Sequence, residues 1–256
     1  MFDVKKQLAV QSWCFRNFKS TTALIEQIKG IRLKRVELCG VHADFNDPAK
    51  FPSLLEPFKQ AGLQIASIGV QTFTGDEAKE TAWFEFARQA GCRMISAAFD
   101  PFKQPDCFTV AEKLAEKFDI NLGIHNHGAH DWLGSVQMLN YILQRTGRRI
   151  GLCLDTAWML DAGGNPVEVA EKFRDRLYGV HIKDFIFDRA GTPKDVVVGK
   201  GNLDLPALMR LIADTGHCSS VTLEYEGDVE NPAPKLKACL RKIRAAAAPP
   251  AAPAAA

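Results

Sequence analysis

The feature that most constrains this chain is an unbroken alternation between two hydrophobic periods. Apolar runs that read as buried strands occur at LAVQSW (8–13), LKRVELC (33–39), LQIASIGV (63–70), RMISAAF (93–99), INLGIH (120–125), RIGLCLD (149–155), LYGVHIKD (177–184) and SVTLEYE (220–226). Short, near-continuous apolar runs are what a parallel sheet covered on both faces requires. Between them, apolar residues recur at helical spacing. TTALIEQIKG carries Leu24, Ile25 and Ile28 and ends at Gly30, a suitable C-cap. DEAKETAWFEFARQAG opens with acids that suit a helix N-terminus and closes with Gly91. VAEKLAEKFD, SVQMLNYILQRTG, PVEVAEKFRD, LPALMRLIADTG and PAPKLKACLRKIR supply further helices, and FPSLLEPFKQAG a shorter one interrupted by Pro57.

Eight strand signals alternating with eight helix signals predict one α/β domain with a parallel sheet. Packed into 256 residues, that pattern fits a single (β/α)8 TIM barrel. An open doubly wound sheet would want a Gly-rich phosphate turn after its first strand, and QSWCFRNFKS has no glycine. The barrel is expected over residues 1–245, with the Ala/Pro-rich end, 246–256, as a disordered tail.

Composition removes several classes of function. The net charge is +2 with acids and bases mixed, so no basic stripe invites nucleic acid. No apolar run approaches the roughly 18–20 residues that span a bilayer, and MFDVKKQLAVQSW lacks the plan of a signal peptide. No membrane partner and a cytoplasmic location are therefore expected. The 7 cysteines are scattered with no CxxC pair, which reads as buried thiols in a reducing compartment.

In such a barrel, chemistry gathers at the C-terminal ends of the strands. Those ends offer Trp13, Glu37, His125 with His127, Asp155, His181 with Lys183, and Glu224 with Glu226. Strands three and four end blandly, at Gln71 and Asp100. In an extended strand, side chains two apart share a side, so LGIHNHGAH turns His125 and His127 toward one space. Buried carboxylates need a partner, and two histidines with two carboxylates suit Mn²⁺, Co²⁺, Mg²⁺ or Zn²⁺. The expected ligands are His125, Asp155, His181 and Glu224, one from each of four successive strands. Each has a plainer reading: a loop histidine, an N-cap, a satisfied core histidine, and a glutamate that could exchange roles with Glu226. Their coincidence at successive strand ends favours the metal. Glu37 reads as a substrate contact or a backbone-bonded residue of the mouth, and Lys183 as a catalytic cation or a solvated rim lysine. His42, His130 and His217 are expected on surface loops. VGKGNLDLP matches no phosphate loop and reads as a connection with Asp204 as N-cap.

The segments VELCG, NLGIHNHG, GLCLDTAW, GVHIKDF, VGKGNLD and VTLEYEG, in this order and spacing, resemble the sugar phosphate isomerase/epimerase family of xylose isomerase-like barrels. The resemblance spans residues 7–245. The family's metal Asp, His and last Glu fall on Asp155, His181 and Glu224. Where the family usually has Glu in a Glu-Asn-His stretch, this chain has His125, with His127 matching the family's His. Trp158 stands where a His is frequent. Losing one of two paired carboxylate bases disfavours plain ketose 3-epimerisation, and the HNH form resembles the branch of inosose dehydratases and keto-glycoside enzymes.

The resemblance implies a divalent metal cofactor and a small sugar or polyol substrate, in a chain that is often a homo-oligomer. Its chemistry would be proton abstraction next to the carbonyl of a keto-sugar, sugar phosphate or inosose, through an enediolate that the metal stabilises. Glu224 or His127 would be the base, with Lys183 assisting and Trp13, Glu37, Trp158 and Glu226 touching substrate. Trp13, Phe15 and Trp158 could form an apolar wall for a sugar ring. Reprotonation gives an isomerase or epimerase; loss of a β-substituent gives a lyase. The alternatives are a non-catalytic metal- and sugar-binding barrel, or a DNA-repair endonuclease of the same fold, which 6 histidines and near-neutral charge disfavour.

Overall fold

A strand that is apolar on both faces is stable only with strands along its edges and cover above and below. The computed structural model, which describes residues 3–216 and 218–248, meets that demand by closure. Its strands are β1 (Leu8–Gln11), β2 (Arg35–Leu38), β3 (Gln64–Phe73), β4 (Met94–Phe99), β5 (Asn121–His125), β6 (Ile150–Asp155), β7 (Leu177–Ile182), β8 (Phe185–Phe187), β9 (Pro193–Asp195) and β10 (Ser220–Leu223). All but β8 and β9 form a closed parallel barrel in the order β1-β10-β7-β6-β5-β4-β3-β2. The expected eight-stranded barrel is therefore present. The antiparallel β8–β9 hairpin was not foreseen, because its three-residue strands are too short to show a period.

Helices cover the outside, and their ends follow local chemistry. Ser20, Asp76 and Ser135 cap helices Thr21–Gly30, Glu77–Ala90 and Val136–Leu143 by accepting backbone N–H groups, and Asp204 caps Leu205–Asp214 as expected. Gly91 is the left-handed C-cap anticipated for it, with φ 77°. Gly30, by contrast, stays within its helix and Ile31 is the cap. Pro57 does not interrupt helix Phe51–Gln60. It removes one backbone bond, and Ser53, whose carbonyl loses that donor, is exposed to solvent. The final helix, Ala233–Ala246, runs one residue into the expected tail, of which residues 249–256 lie outside those described.

The core has two layers of different character. Between strands and helices it is apolar and aromatic, with Phe73, Phe84, Phe86 and Phe99 at 2% exposure or less. Inside the barrel, where branched apolar residues usually stack, the buried side chains include Gln11, Glu37, Ser67, Ser96, His181, Ser220 and Thr222. Beside Ser96 and Ser220 the strand glycines make room: a Cβ on Gly123 or Gly179 would come within 2.8 Å of the Cys153 side chain. All seven cysteines are free, and only Cys218 is not fully buried. Among the described residues no helix is long and apolar enough to cross a membrane.

Candidate metal centre

β5 ends at His125 and β6 at Asp155, β7 carries His181, and Glu224 follows β10 directly. Strand register sets Asp155 beside His181 and His181 beside Thr222, and Glu224, two residues beyond Thr222, brings its carboxylate to His181 Nδ1. Their ligand atoms all lie within 4.8 Å of one another, and all four residues are buried. His125 Nε2 is 3.0 Å from His181 Nδ1, which is 2.6 Å from Glu224 Oε2. Asp155 Oδ2 lies 3.6 Å from His125 Nε2.

Asp155 is doubly employed. Its Oδ1 accepts the Trp158 N–H at 2.8 Å and caps the short helix Thr156–Asp161. Asn126 locks its backbone, accepting the Asp155 N–H at 2.9 Å and donating to the Asp155 carbonyl at 3.1 Å. Oδ2 is left buried without a hydrogen-bond partner, as is His125 Nδ1. The cap reading and the ligand reading thus take one oxygen each. A tetrahedral ion with bonds of about 2.0–2.2 Å separates its donors by about 3.3–3.6 Å, and the spacings here, from 2.6 Å to no more than 4.8 Å, bracket that range. The donor set and its orphaned oxygen fit a divalent ion.

The electrostatics agree with the geometry. Burial, reinforced by His181, holds the His125 imidazole well below its usual range, so it is neutral and has a lone pair to offer. Burial pushes the Asp155 carboxyl up to about 7, the mark of a carboxylate short of positive charge. For Glu224, burial opposes ionisation, but the Lys183 ammonium and His181 outweigh it and hold the carboxyl low. Burial likewise opposes charge on His181, and the Glu37 carboxylate more than reverses this.

Glu37, expected to contact substrate, instead lies beneath the centre at 0% exposure. Its Oε1 accepts from His181 Nε2, Gln11 Nε2 and Ser96 Oγ, each at 2.9 Å. Its Oε2 accepts from Ser67 Oγ at 2.5 Å and from Thr222 Oγ1 at 3.4 Å. Lys183 is no rim lysine: at 1% exposure it ion-pairs with Glu226 and sits 5.0 Å over the Trp158 ring. Glu226 also accepts from Trp13 Nε1 at 3.1 Å, and its own N–H donates to Asp195 Oδ2 at 2.8 Å.

A cavity of about 480 Å³ opens above these groups. Its wall from β1 to β3 offers Gln11, Trp13, Cys39, Gly40, Val41, Gly69 and Val70. The other wall carries His125, His127, Trp158, His181, Glu224 and Glu226. His127 is partly buried, with its ring 4.8 Å from that of His125, and burial pushes its imidazole down. Of the expected substrate contacts, Trp13, Trp158 and Glu226 line the cavity; Phe15 is fully buried and does not. His42, expected on the surface, is 7% exposed, with Nδ1 3.8 Å from Cys39 Sγ. His130 is exposed, and His217 lies outside the described residues.

Three residues escaped the sequence reading: Asn126, Asp195 and Asp184. Asp184 accepts the N–H groups of Gly199, Gly201 and Leu203 at 2.8–3.0 Å, folding VGKGNLD around one carboxylate. A Cβ at Gly201 would lie 2.4 Å from Asp184 Oδ1, so that glycine serves the close approach. The signal available was an aspartate directly after Lys183, followed by a glycine-spaced loop.

Fold and site together define a (β/α)8 barrel with a candidate metal centre at the C-terminal mouth of its strands. A model of the xylose isomerase-like TIM barrel family matches residues 36–246, and the chain belongs to that family. It is 28% identical over 137 residues to the rhizopine catabolism protein MocC of Rhizobium meliloti, covering 46% of this chain but only 40% of that protein. Among solved structures it resembles the probable 3-DHS dehydratase AsbF of Bacillus anthracis, with TM-score 0.71 and 16% identity over 93% of this chain and 98% of that one. It also resembles the IolI protein with a bound zinc, at TM-score 0.71 and 13% identity over 94% and 98% of the two chains. A third is the 3-keto-D-glucoside 4-epimerase YcjR of E. coli, at TM-score 0.68 and 16% identity over 93% and 99%. These structural likenesses establish the fold.

Proposed function

We propose that this chain is a divalent-metal-dependent enzyme that removes a proton next to the carbonyl of a keto-sugar, sugar phosphate or inosose. It then returns the proton as an isomerase or expels a β-substituent as a lyase. The observation that carries the reading is the convergence of four buried ligand atoms, one an orphaned carboxylate oxygen, at the floor of a sugar-sized cavity. The structural relatives, which include a probable dehydratase and an epimerase, support it.

A divalent ion held by His125, Asp155, His181 and Glu224 supplies a Lewis acid for the carbonyl oxygen. His127 is the base: its imidazole stands on the cavity wall and burial favours its neutral form. Glu224 suits that role less, because His181 and Lys183 hold its negative charge in place. Lys183 ion-pairs with Glu226, and Trp13 and Trp158 give the apolar face of a sugar ring a surface to lie on. The wall from β1 to β3 lines the cavity without a carboxylate or imidazole. With one base on one face, isomerisation or elimination is favoured over a two-base epimerisation.

The test is deuterium exchange. Metal-loaded protein in D₂O should incorporate deuterium next to the carbonyl of an inosose or 3-keto-glycoside. His127→Ala should keep its metal and slow exchange by about 10²–10⁴-fold. Wild-type exchange in that variant would remove His127 as the base. Absence of exchange with every keto-sugar would favour a binding barrel without turnover.

A further inference from the structure

Resting on the metal-centre reading above, we infer that Glu37 is a positioning residue that dictates which ring nitrogen His181 presents to the centre. A carboxylate only accepts hydrogen bonds, so the His181 Nε2 facing Glu37 Oε1 at 2.9 Å must carry the proton. Nδ1, on the other side of the ring, faces His125 Nε2 at 3.0 Å and Glu224 Oε2 at 2.6 Å. Without an ion it too carries a proton toward Glu224, and it is this proton, not the one Glu37 holds on Nε2, that an ion would displace. A ligating histidine held by a carboxylate on its far nitrogen has its tautomer and ring angle fixed and its basicity raised.

Glu37 is itself tightly held. Gln11 from β1, Ser67 from β3 and Ser96 from β4 all donate to it at 2.5–2.9 Å. Register explains the convergence, since Gln11 and Ser67 are the lateral neighbours of Glu37 in the sheet. The ligands come from β5, β6, β7 and the end of β10, whereas the anchor comes from β1 to β4. A leucine would fill this level of a barrel more cheaply than a carboxylate that must be desolvated. The polar layer is therefore accounted for by what it holds, which is one face of one imidazole.

Glu37→Leu, Glu37→Gln and Ser220→Ala, with His181→Ala beside them, test this on metal affinity and on the ring tautomer. Ser220 belongs to the same polar layer, but its hydroxyl bonds to Ser67 and Thr222 rather than to Glu37 or His181. Zinc affinity, measured by chelator competition, should fall about 10–100-fold in Glu37→Leu. It should fall less in Glu37→Gln, whose amide oxygen still accepts, and stay unchanged in Ser220→Ala. Long-range ¹⁵N NMR of the zinc-loaded wild type should show the His181 proton on Nε2. Unchanged affinity in Glu37→Leu would overturn the inference, as would an equal loss in Ser220→Ala. If Glu37→Leu does not fold, the NMR decides: a proton on Nδ1 overturns the inference and one on Nε2 supports it. Zinc retained by His181→Ala would overturn the centre itself, whereas failure at Glu37 alone leaves the centre standing.

Discussion

Between β5 and the end of β10, the mouth of the barrel is supplied with His125, Asp155, His181 and Glu224, all buried. Across the barrel, β3 and β4 end at Phe73 and Phe99, which stack with centroids 5.5 Å apart and pack on Trp83 and Phe108 from the covering helices. The two regions arise from the same strand–helix alternation and do opposite work. Burying carboxylates and imidazoles opposes folding, whereas each fully buried phenylalanine favours it by about 1.5–3 kcal/mol. Glu37 joins the two sides, bonding Ser67 of β3 and Ser96 of β4 as well as His181 of β7. The separation predicts that substitutions on one side cost metal and on the other cost stability.

The largest effect should follow His125→Ala, which removes a neutral ligand and leaves no buried charge stranded. Zinc affinity should fall by more than the roughly 10–100-fold that outer-sphere partners are worth, with far-UV circular dichroism unchanged; retained zinc breaks the comparison. Phe73→Ala should do the reverse, costing about 3–5 kcal/mol in urea unfolding while the folded protein keeps its metal. If metal is lost before stability, the halves are not separable. Asp184→Ala deprives three backbone N–H groups of their acceptor. It should cost about 1–3 kcal/mol and speed proteolytic nicking within 198–204, with metal content unaffected. Trp13→Phe is the mildest. It deletes one hydrogen bond to Glu226 from a side chain 37% exposed, and should raise KM by no more than about tenfold, roughly the worth of one such bond.

The four candidate ligands were legible because each lies at or beside the end of an apolar run, and because the two-residue period fixes which side chains share a face. What the period cannot give is depth along the barrel axis. Glu37 has the inward parity of a mouth residue and pairs with Gln11, which lines the cavity, but its carboxylate is taken up by His181, Ser67 and Ser96 and does not reach the cavity. Lys183 reads equally well as rim or interior until Glu226, 43 residues later, is brought against it. His42 was misplaced for a different reason. Its loop tucks Ala43 and Phe45 inward, at 6% and 3% exposure, and the histidine goes with them. The β8–β9 hairpin and the hold of Asp184 on its loop depend on contacts between segments that carry no period of their own.

Asp155→Asn is the most direct test of the centre, because asparagine keeps an oxygen for the Trp158 N–H and turns the other position into an amide that cannot ligate. Both proteins would be incubated with Zn²⁺ or Mn²⁺, dialysed, and subjected to elemental analysis, with circular dichroism as the check on folding. The account predicts about one ion per wild-type chain and almost none in the folded variant. Equal metal in the two, or none in either, would contradict it.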